Sequence, residues 1–203
     1  QFCKLFTFHK KDERFITLLA AGNLATTQSV ISVLGERNKT PLEGGSSILD
    51  APSMFQVARI VGDTLREVIQ RNLDVGQKAA ATFHASFIVG GQIKGSGPKL
   101  FLIYPEGNFI EANIDAPYFK IGETKYGRPI LLRAYDADMS WEAAIKLLLI
   151  SFDSTIKANL SVGLPLDMQV YKRDSFECMH RKRINAEDPY YVSVSQGWGE
   201  ALN

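Results

Sequence analysis

The residues best placed for chemistry in this sequence are Gly122, Glu123 and Thr124, where a carboxylate and a hydroxyl follow a glycine. The apolar run before them ends at Ile121, and the residues after them have helical character. At a junction of strand and helix, polar side chains and unpaired backbone N–H groups can face a common cleft. Glu123 also has a purely structural explanation, because a negative charge in the first turn of a helix is stabilising.

Other side chains that serve catalysis or metal binding are scattered. The sequence contains no HExxH, P-loop, GxSxG or paired-cysteine motif. His9, His84 and His180 are far apart, and each is better explained as a surface or strand residue than as a ligand. Cys3 and Cys178 lack the spacing of metal ligands and are consistent with a reducing compartment. We therefore expect neither a metal nor a cofactor.

Charge and hydropathy argue against several classes of partner. The net charge is +1, and no apolar run approaches the roughly 20 residues needed to cross a bilayer. We therefore expect no binding to nucleic acid or membrane, and a cytoplasmic location. A basic group late in the sequence is better explained as a solvated loop or a subunit contact; it comprises Lys172, Arg173, Arg181, Lys182 and Arg183.

The segments around Glu123 predict a mixed arrangement of strands and helices. Short apolar runs bounded by Gly, Pro and Asn predict strands, and apolar residues at helical spacing predict helices. The predicted strands are 2–9, 15–21, a meander over 82–121, and 166–171; the predicted helices are 24–34, 53–70, 124–135, 140–156 and a short one from 188. Residues 35–52 are predicted to form a loop, and residues 175–187 an exposed charged segment.

This order of elements indicates a fold class. Grouped strands and helices favour α+β layers over a parallel doubly wound sheet. We expect a single domain over residues 1–203, with helices covering both faces of stacked antiparallel sheets.

Polar residues mark the predicted helix starts. Asn23, Ser53 and Ser140 are suitable N-caps, and Asp188-Pro189 opens the last helix with proline at a tolerated position. Along one face of the helix after Ser140, apolar side chains recur at helical spacing; they are Trp141, Ala144, Ile145, Leu148, Phe152 and Ile156.

Stretches along nearly the whole chain resemble one protein family. They are Lys4-Leu5-Phe6, residues 18–28, 87–93 and 101–108, Ile121-Gly-Glu-Thr-Lys-Tyr-Gly-Arg-Pro, and Asp153-Ser-Thr together with Asn159-Leu-Ser-Val-Gly-Leu-Pro-Leu-Asp. Together they are similar to Anbu, the bacterial "ancestral β-subunit" family of proteasome-type proteins. The resemblance implies a four-layer αββα sandwich of two stacked antiparallel sheets, the fold of N-terminal-nucleophile hydrolases.

The resemblance also implies a nucleophile. In this family the catalytic residue is the Thr that begins the mature chain. Its hydroxyl attacks a carbonyl while its own α-amine acts as base. The present sequence begins at the strand that carries the family's lysine, so we expect this Thr and the first strands to precede Gln1.

Further site residues follow from the same resemblance. Lys4 matches the family's lysine, and its ammonium would keep the neighbouring amine unprotonated. The alternative is an ordinary strand lysine that points to solvent. The oxyanion hole in this class consists of backbone N–H groups after the second strand, which corresponds here to Leu19, Ala20, Ala21 or Gly22.

Two places depart from the proteasome pattern. Proteasome β-subunits have a Gly-Ser-Gly where this chain has Glu123 between Gly122 and Thr124, and they have an Asp and a Ser where Asn159 and Ser161 lie nearest. A carboxylate at position 123 either weakens the amine as a base or orients it by a hydrogen bond. The resemblance therefore leaves open whether the substrate is a peptide or another amide.

Two functions remain compatible with the sequence. The first is a threonine-type hydrolase subunit that cleaves peptide or other amide bonds within a homo-oligomer, arranged as a ring or an open spiral. The alternative is a non-catalytic assembly or binding subunit that keeps the proteasome fold. The residue at the N-terminus of the mature protein distinguishes the two.

Overall fold

A computed structural model describes residues 2–39, 46–75 and 83–202 of the chain. These residues form seven strands and five helices. In chain order the elements are β1 (Leu5–Lys10), β2 (Arg14–Gly22), α1 (Leu24–Lys39), α2 (Met54–Val75), β3 (Ala85–Ile93), β4 (Lys99–Ile103), β5 (Phe109–Glu111), α3 (Arg128–Ala134), α4 (Trp141–Ala158), β6 (Leu166–Tyr171), β7 (Cys178–Ile184) and α5 (Pro189–Ala201). Within the described ranges, no helix has the length and apolar character needed to span a membrane.

The chain consists of two compact units. The first consists of Gln1–Gly122 and Gln169–His180, and the second of Glu123–Met168 and Arg181–Asn203. The first unit contains Lys4, directly before β1, and the predicted oxyanion residues on β2. The second unit contains α3, α4 and α5.

The first unit is organised around a five-stranded antiparallel sheet in the order β1-β2-β3-β4-β5. Because side chains alternate along a strand, every second residue of β2 faces the same side. Ile16, Leu18 and Ala20 therefore share one face of the sheet. They are buried in one apolar core with Val30 of α1 and Val61 of α2. The other strands and helices of the unit contribute further apolar side chains to this core. The sheet and its two helices therefore fix the ends of β1 and β2.

The predicted caps of α1 and α2 are present. The backbone N–H of Thr26 donates to Asn23 Oδ1 at 2.9 Å, and that of Gln56 donates to Ser53 Oγ at 3.2 Å. The predicted end of the first helix is wrong, because α1 continues through Gly35 to Lys39.

Tertiary contacts explain the longer helix. Arg37, beyond the glycine, donates to Thr64 Oγ1 at 2.7 Å and to Glu67 Oε2 at 2.9 Å on α2. These bonds offset the low helix propensity of glycine. Two segments lie outside the described ranges. They are residues 40–45 of the predicted loop and residues 76–82, the last of which begins the predicted meander.

A buried glutamine holds the loop after β6 to the sheet of the first unit. Gln92 is 1% exposed. Its amide nitrogen donates to Ser96 O and Asp174 Oδ1, and its amide oxygen accepts from Tyr171 Oη and the backbone N–H of Asp174. A buried amide with every bond made stabilises a single geometry.

The segment predicted to be an exposed charged stretch contains strand β7, which pairs with β6 in a two-stranded sheet. The sequence of β7 has four basic or titratable residues in a row and no apolar alternation, so the strand pattern was missed. Arg183 donates two hydrogen bonds of 2.8 Å to the Asp167 carboxylate on β6. In this bidentate pair the Asp167 carboxylate on β6 compensates the positive charge of Arg183 on β7.

The helices of the second unit begin at the expected residues, with one correction. Ser140 accepts from the N–H of Ala143, and Asp188 accepts from those of Tyr190 and Tyr191. The helix predicted over residues 124–135 is shorter and begins at Arg128, with proline in its first turn.

The predicted apolar face of α4 is exposed in part. Trp141, Leu148 and Phe152 are 56%, 47% and 41% exposed. The residues that α4 buries form two stripes, one on each side of this face. These stripes include polar residues. Ser151 Oγ donates to Gly127 O at 3.0 Å, and the Asp153 carboxylate accepts from Tyr191 Oη at 3.0 Å. Because these polar groups have partners, the helix can bury them.

The contact of Tyr191 with Asp153 predicts a loss of stability at alkaline pH. Burial, together with the hydrogen bond to Asp153, raises the pKa of Tyr191 from 10.0 to about 12. The phenol therefore ionises more readily in the unfolded chain, and the free energy of unfolding falls as the pH rises from 10 towards 12. We expect Tyr191→Phe to reduce this alkaline slope in urea titrations.

The neighbouring Tyr190→Phe is the matched control, because Tyr190 is 42% exposed. Near neutral pH, Tyr191→Phe is also expected to lower the free energy of unfolding by about 1–3 kcal/mol, since it leaves a buried acceptor unpaired. Equal alkaline slopes for wild type and Tyr191→Phe would contradict the assignment.

Candidate active site

Lys4 lies directly before β1, at the end of the five-stranded sheet. Its backbone carbonyl accepts a hydrogen bond of 3.0 Å from the N–H of Ala20 on β2. Strand alternation places Lys4 on the same face as Phe2 and Phe6, whose ring centroids lie 6.0 Å apart. Lys4 is exposed.

The backbone geometry of β2 distinguishes among the four predicted oxyanion donors. Because the Ala20 N–H points towards β1, antiparallel alternation directs the N–H groups of Leu19 and Ala21 towards β3. The N–H of Gly22 points to the β1 side, beyond the bond between Ala20 and Lys4. This alternation leaves Gly22 as a candidate oxyanion donor among the four.

Gly22 occupies a position that only glycine fits. Its φ is +102°, and a Cβ added there would lie 2.5 Å from the carbonyl oxygen of His84. That same oxygen accepts a hydrogen bond of 2.8 Å from the N–H of Asn23. The end of β2 thus approaches the start of β3 closely, and this fixes the direction of the backbone at Gly22.

Gly122 packs against the same end of β2. Its φ is +78°, and a Cβ added at Gly122 would lie 3.3 Å from Cβ of Ala21. The residue before Glu123 therefore contacts the predicted oxyanion segment within the first unit.

Three predicted site residues of the second unit form one hydrogen-bonded cluster. Asn159 Nδ2 donates to Glu123 Oε2 at 2.8 Å. Asn159 Oδ1 accepts from the hydroxyl and the backbone N–H of Ser161 at 2.7 and 2.9 Å. The other carboxylate oxygen of Glu123 accepts from the backbone N–H of Lys125 at 2.7 Å. We call Glu123, Asn159 and Ser161 the carboxylate cluster.

The position of Glu123 differs from the predicted junction of strand and helix. Glu123 lies in the loop between β5, which ends at Glu111, and α3, which begins at Arg128. The explanation of Glu123 as a charge in the first turn of a helix is therefore wrong. The bond from the Lys125 N–H to Glu123 was not predicted from the sequence. The turn from Asn159 to Ser161 does have a recognisable local signal, the Asn-x-Ser pattern.

Metal chemistry has no candidate residues in the described part of the chain. There, His, Cys, Asp and Glu side chains form no group of three that could hold a metal ion. The carboxylate cluster can instead accept hydrogen bonds from a substrate or a catalytic amine.

Comparison with known proteins places the chain in a family. A family model described as "Proteasome subunit" matches residues 60–169. The structure of Anbu (ancestral β-subunit) from Yersinia bercovieri is 45% identical with a TM-score of 0.92, over 100% of this chain and 83% of that one. The chain belongs to the Anbu family of proteasome-type proteins.

Two further Anbu structures agree with this assignment. An Anbu (Gly-1) mutant from Hyphomicrobium sp. strain MC1 is 48% identical with a TM-score of 0.90, over 100% of this chain and 82% of that one. The helical assembly of the Anbu complex from Pseudomonas aeruginosa is 43% identical with a TM-score of 0.91, over 100% and 82% of the two chains. A comparison with curated protein sequences gave no match.

The Anbu assignment confirms the predicted fold class. The described residues contain two antiparallel sheets and five helices in a mixed α+β arrangement that matches Anbu and proteasome β-subunit structures. Among the predicted site residues, the structure joins Glu123, Asn159 and Ser161 directly, and it bonds the backbone of Lys4 to that of Ala20.

Proposed function

We propose that this Anbu chain is the subunit of a threonine-type N-terminal-nucleophile hydrolase that cleaves peptide or other amide bonds. The observation that supports this most strongly is the carboxylate cluster. The resemblance to the family implies both Glu123 and Asn159 as site residues, and a hydrogen bond joins them although they are 36 residues apart in the sequence. A polar cluster of this kind, at positions that the family uses for catalysis, favours a retained active site.

The proposed reaction proceeds through an ester. The nucleophilic Thr hydroxyl attacks the substrate carbonyl, and the α-amine of the same Thr accepts the hydroxyl proton. The C–N bond breaks, the leaving amine takes that proton, and water then hydrolyses the ester to release the acid. In this scheme the Gly22 N–H stabilises the oxyanion, and the Lys4 ammonium disfavours protonation of the α-amine.

Glu123 has a separate role in this proposal. Its carboxylate accepts hydrogen bonds and carries negative charge, so it can orient a donor such as an amine. It cannot replace the lysine, because the effects of the two charges on a nearby amine have opposite signs.

We further propose that the subunit works in a homo-oligomer in the bacterial cytoplasm. The relative from Pseudomonas aeruginosa that this chain resembles over its whole length forms a helical assembly. Self-association of the present chain as an open spiral or a ring is expected by analogy with that relative.

Hydrolysis of a peptide library by the natural polypeptide tests the proposal. We expect fragments from cleaved amide bonds, detected by mass spectrometry. These fragments should disappear when the N-terminal residue of the mature protein is replaced by alanine. An assembled protein that yields no fragments from any library member would favour the non-catalytic assembly or binding subunit.

A further inference from the structure

The side-chain amide of Asn159 has only one possible orientation. The backbone N–H of Ser161 can only donate, so the atom of Asn159 that faces it at 2.9 Å must be the oxygen. The amide nitrogen is then directed to Glu123 Oε2, at 2.8 Å. Exchanging the two atoms would place two donors face to face at Ser161 and two acceptors face to face at Glu123.

The backbone holds Asn159 in place from both sides. Its N–H donates to Thr155 O at 2.9 Å and ends α4, and its carbonyl accepts from the N–H of Val162 at 3.1 Å. The position of the side chain is therefore set by the end of the helix and by the following turn. Its contact with Glu123 is a consequence of this local structure.

Both oxygens of Glu123 accept from groups that can only donate. These groups are the amide nitrogen of Asn159 and the backbone N–H of Lys125. A carboxylate satisfies both donors, and its orientation is fixed by two bonds from different parts of the second unit. The side-chain amide of Asn159 does not ionise near neutral pH, so it cannot act as an acid or a base.

We propose that Asn159 is a positioning residue that holds the Glu123 carboxylate and limits the carboxylate cluster to one negative charge. The inference rests on the proposed function for its catalytic consequence. A carboxylate at position 159 would lie at hydrogen-bond distance from Glu123. Two carboxylates at such a distance cannot both ionise freely, so they would share a proton.

Other charged groups of the second unit near these residues in the chain are Lys125, Asp153 and Lys157. Lys157 Nζ lies 3.0 Å from both Asp153 Oδ2 and Ser195 Oγ. Lys125 Nζ lies 5.6 Å from the ring centroid of Tyr126. These groups already have partners, so the charge of the cluster depends first on Glu123 and on the residue at position 159.

The test is Asn159→Asp, because the new side chain keeps the oxygen that accepts from Ser161 and hence the turn. In the natural protein, ¹³Cδ shifts of the Glu123 carboxyl are followed against pH by NMR, with Glu123→Gln as the assignment variant. We expect Asn159→Asp to raise the midpoint of one carboxyl of the pair by about one pH unit or more.

Two variants act as controls. Asn113→Asp adds the same charge at an exposed asparagine whose side-chain oxygen accepts two backbone N–H bonds in a turn. It should leave the Glu123 titration unchanged. The double variant Glu123→Gln, Asn159→Asp has one carboxylate in the cluster, as the wild type does. We therefore expect a single titration midpoint near that of the wild type.

Activity gives a second, independent readout. Asn159→Ala is expected to lower the rate of active-site labelling by about 10- to 100-fold, since it releases the orientation of Glu123. Asn159→Asp should add an ionisation to the pH profile of labelling. An unchanged Glu123 titration in Asn159→Asp would overturn the inference. If the Glu123 titration changes as expected but no variant is labelled, the inference about Asn159 stands and the proposed hydrolase function is rejected.

Discussion

Replacing Lys4 with alanine is expected to reduce covalent labelling of the natural polypeptide by about 100-fold or more. The label is an inhibitor directed at the N-terminal amine and hydroxyl. The ammonium of Lys4 would disfavour the protonated form of the α-amine, whose reference pKa is about 7.7–8.0. Its loss raises the pKa of that amine. The residual labelling should therefore require a higher pH, and the acidic limb of the pH profile should move upward.

Two variants make this result specific. Lys11→Ala removes the same charge from the exposed turn between β1 and β2, so its labelling should match the wild type. Lys4→Arg keeps the positive charge and should preserve the position of the acidic limb. If Lys4→Ala is labelled as fast as Lys11→Ala at every pH, the lysine has no role in the reaction.

Replacing Gly62 with alanine is expected to cause a large loss of stability in the first unit. A Cβ on Gly62 in α2 would lie 2.1 Å from the carbonyl oxygen of Gly107, in the turn between β4 and β5. This turn cannot simply move away, because Gly107 has a φ of +86° and its own N–H bonds to Tyr104 O at 2.9 Å. The free energy of unfolding should fall by about 1–3 kcal/mol or more.

Gly35→Ala provides a matched comparison in another helix. A Cβ on Gly35 would meet no atom within 4 Å, so only the helix propensity changes. This substitution should raise the free energy of unfolding by up to about 1 kcal/mol. Urea titrations of both variants measure the contrast. A similar effect of the two substitutions would show that the close approach of α2 to the turn does not constrain the fold.

Local chemistry made the helix starts predictable. A side-chain oxygen at Asn23, Ser53, Ser140 or Asp188 binds an N–H two or three residues later, and such bonds depend on few other parts of the chain. The ends of the same helices were harder to predict. The continuation of α1 past Gly35 depends on Arg37 reaching α2, a contact that has no local signature.

Strand β7 and the carboxylate cluster show the same distinction. The Arg183–Asp167 pair that accompanies β7 joins residues 16 positions apart, and the bond from Asn159 to Glu123 joins residues 36 apart. The resemblance to Anbu identified the cluster residues, but it did not indicate that Asn159 donates directly to Glu123. The proposal of Gly22 among four candidate oxyanion donors likewise required the register of β1 and β2.

The mass and location of a covalent adduct test the central claim most directly. The natural polypeptide is treated with the N-terminus-directed inhibitor and then analysed as an intact protein, with sequencing of its N-terminal residue. We expect one adduct per subunit, on a Thr at the mature N-terminus, with labelling that depends on Lys4. A mature N-terminus without Thr, or a Thr that stays unmodified in the assembled protein, would contradict it.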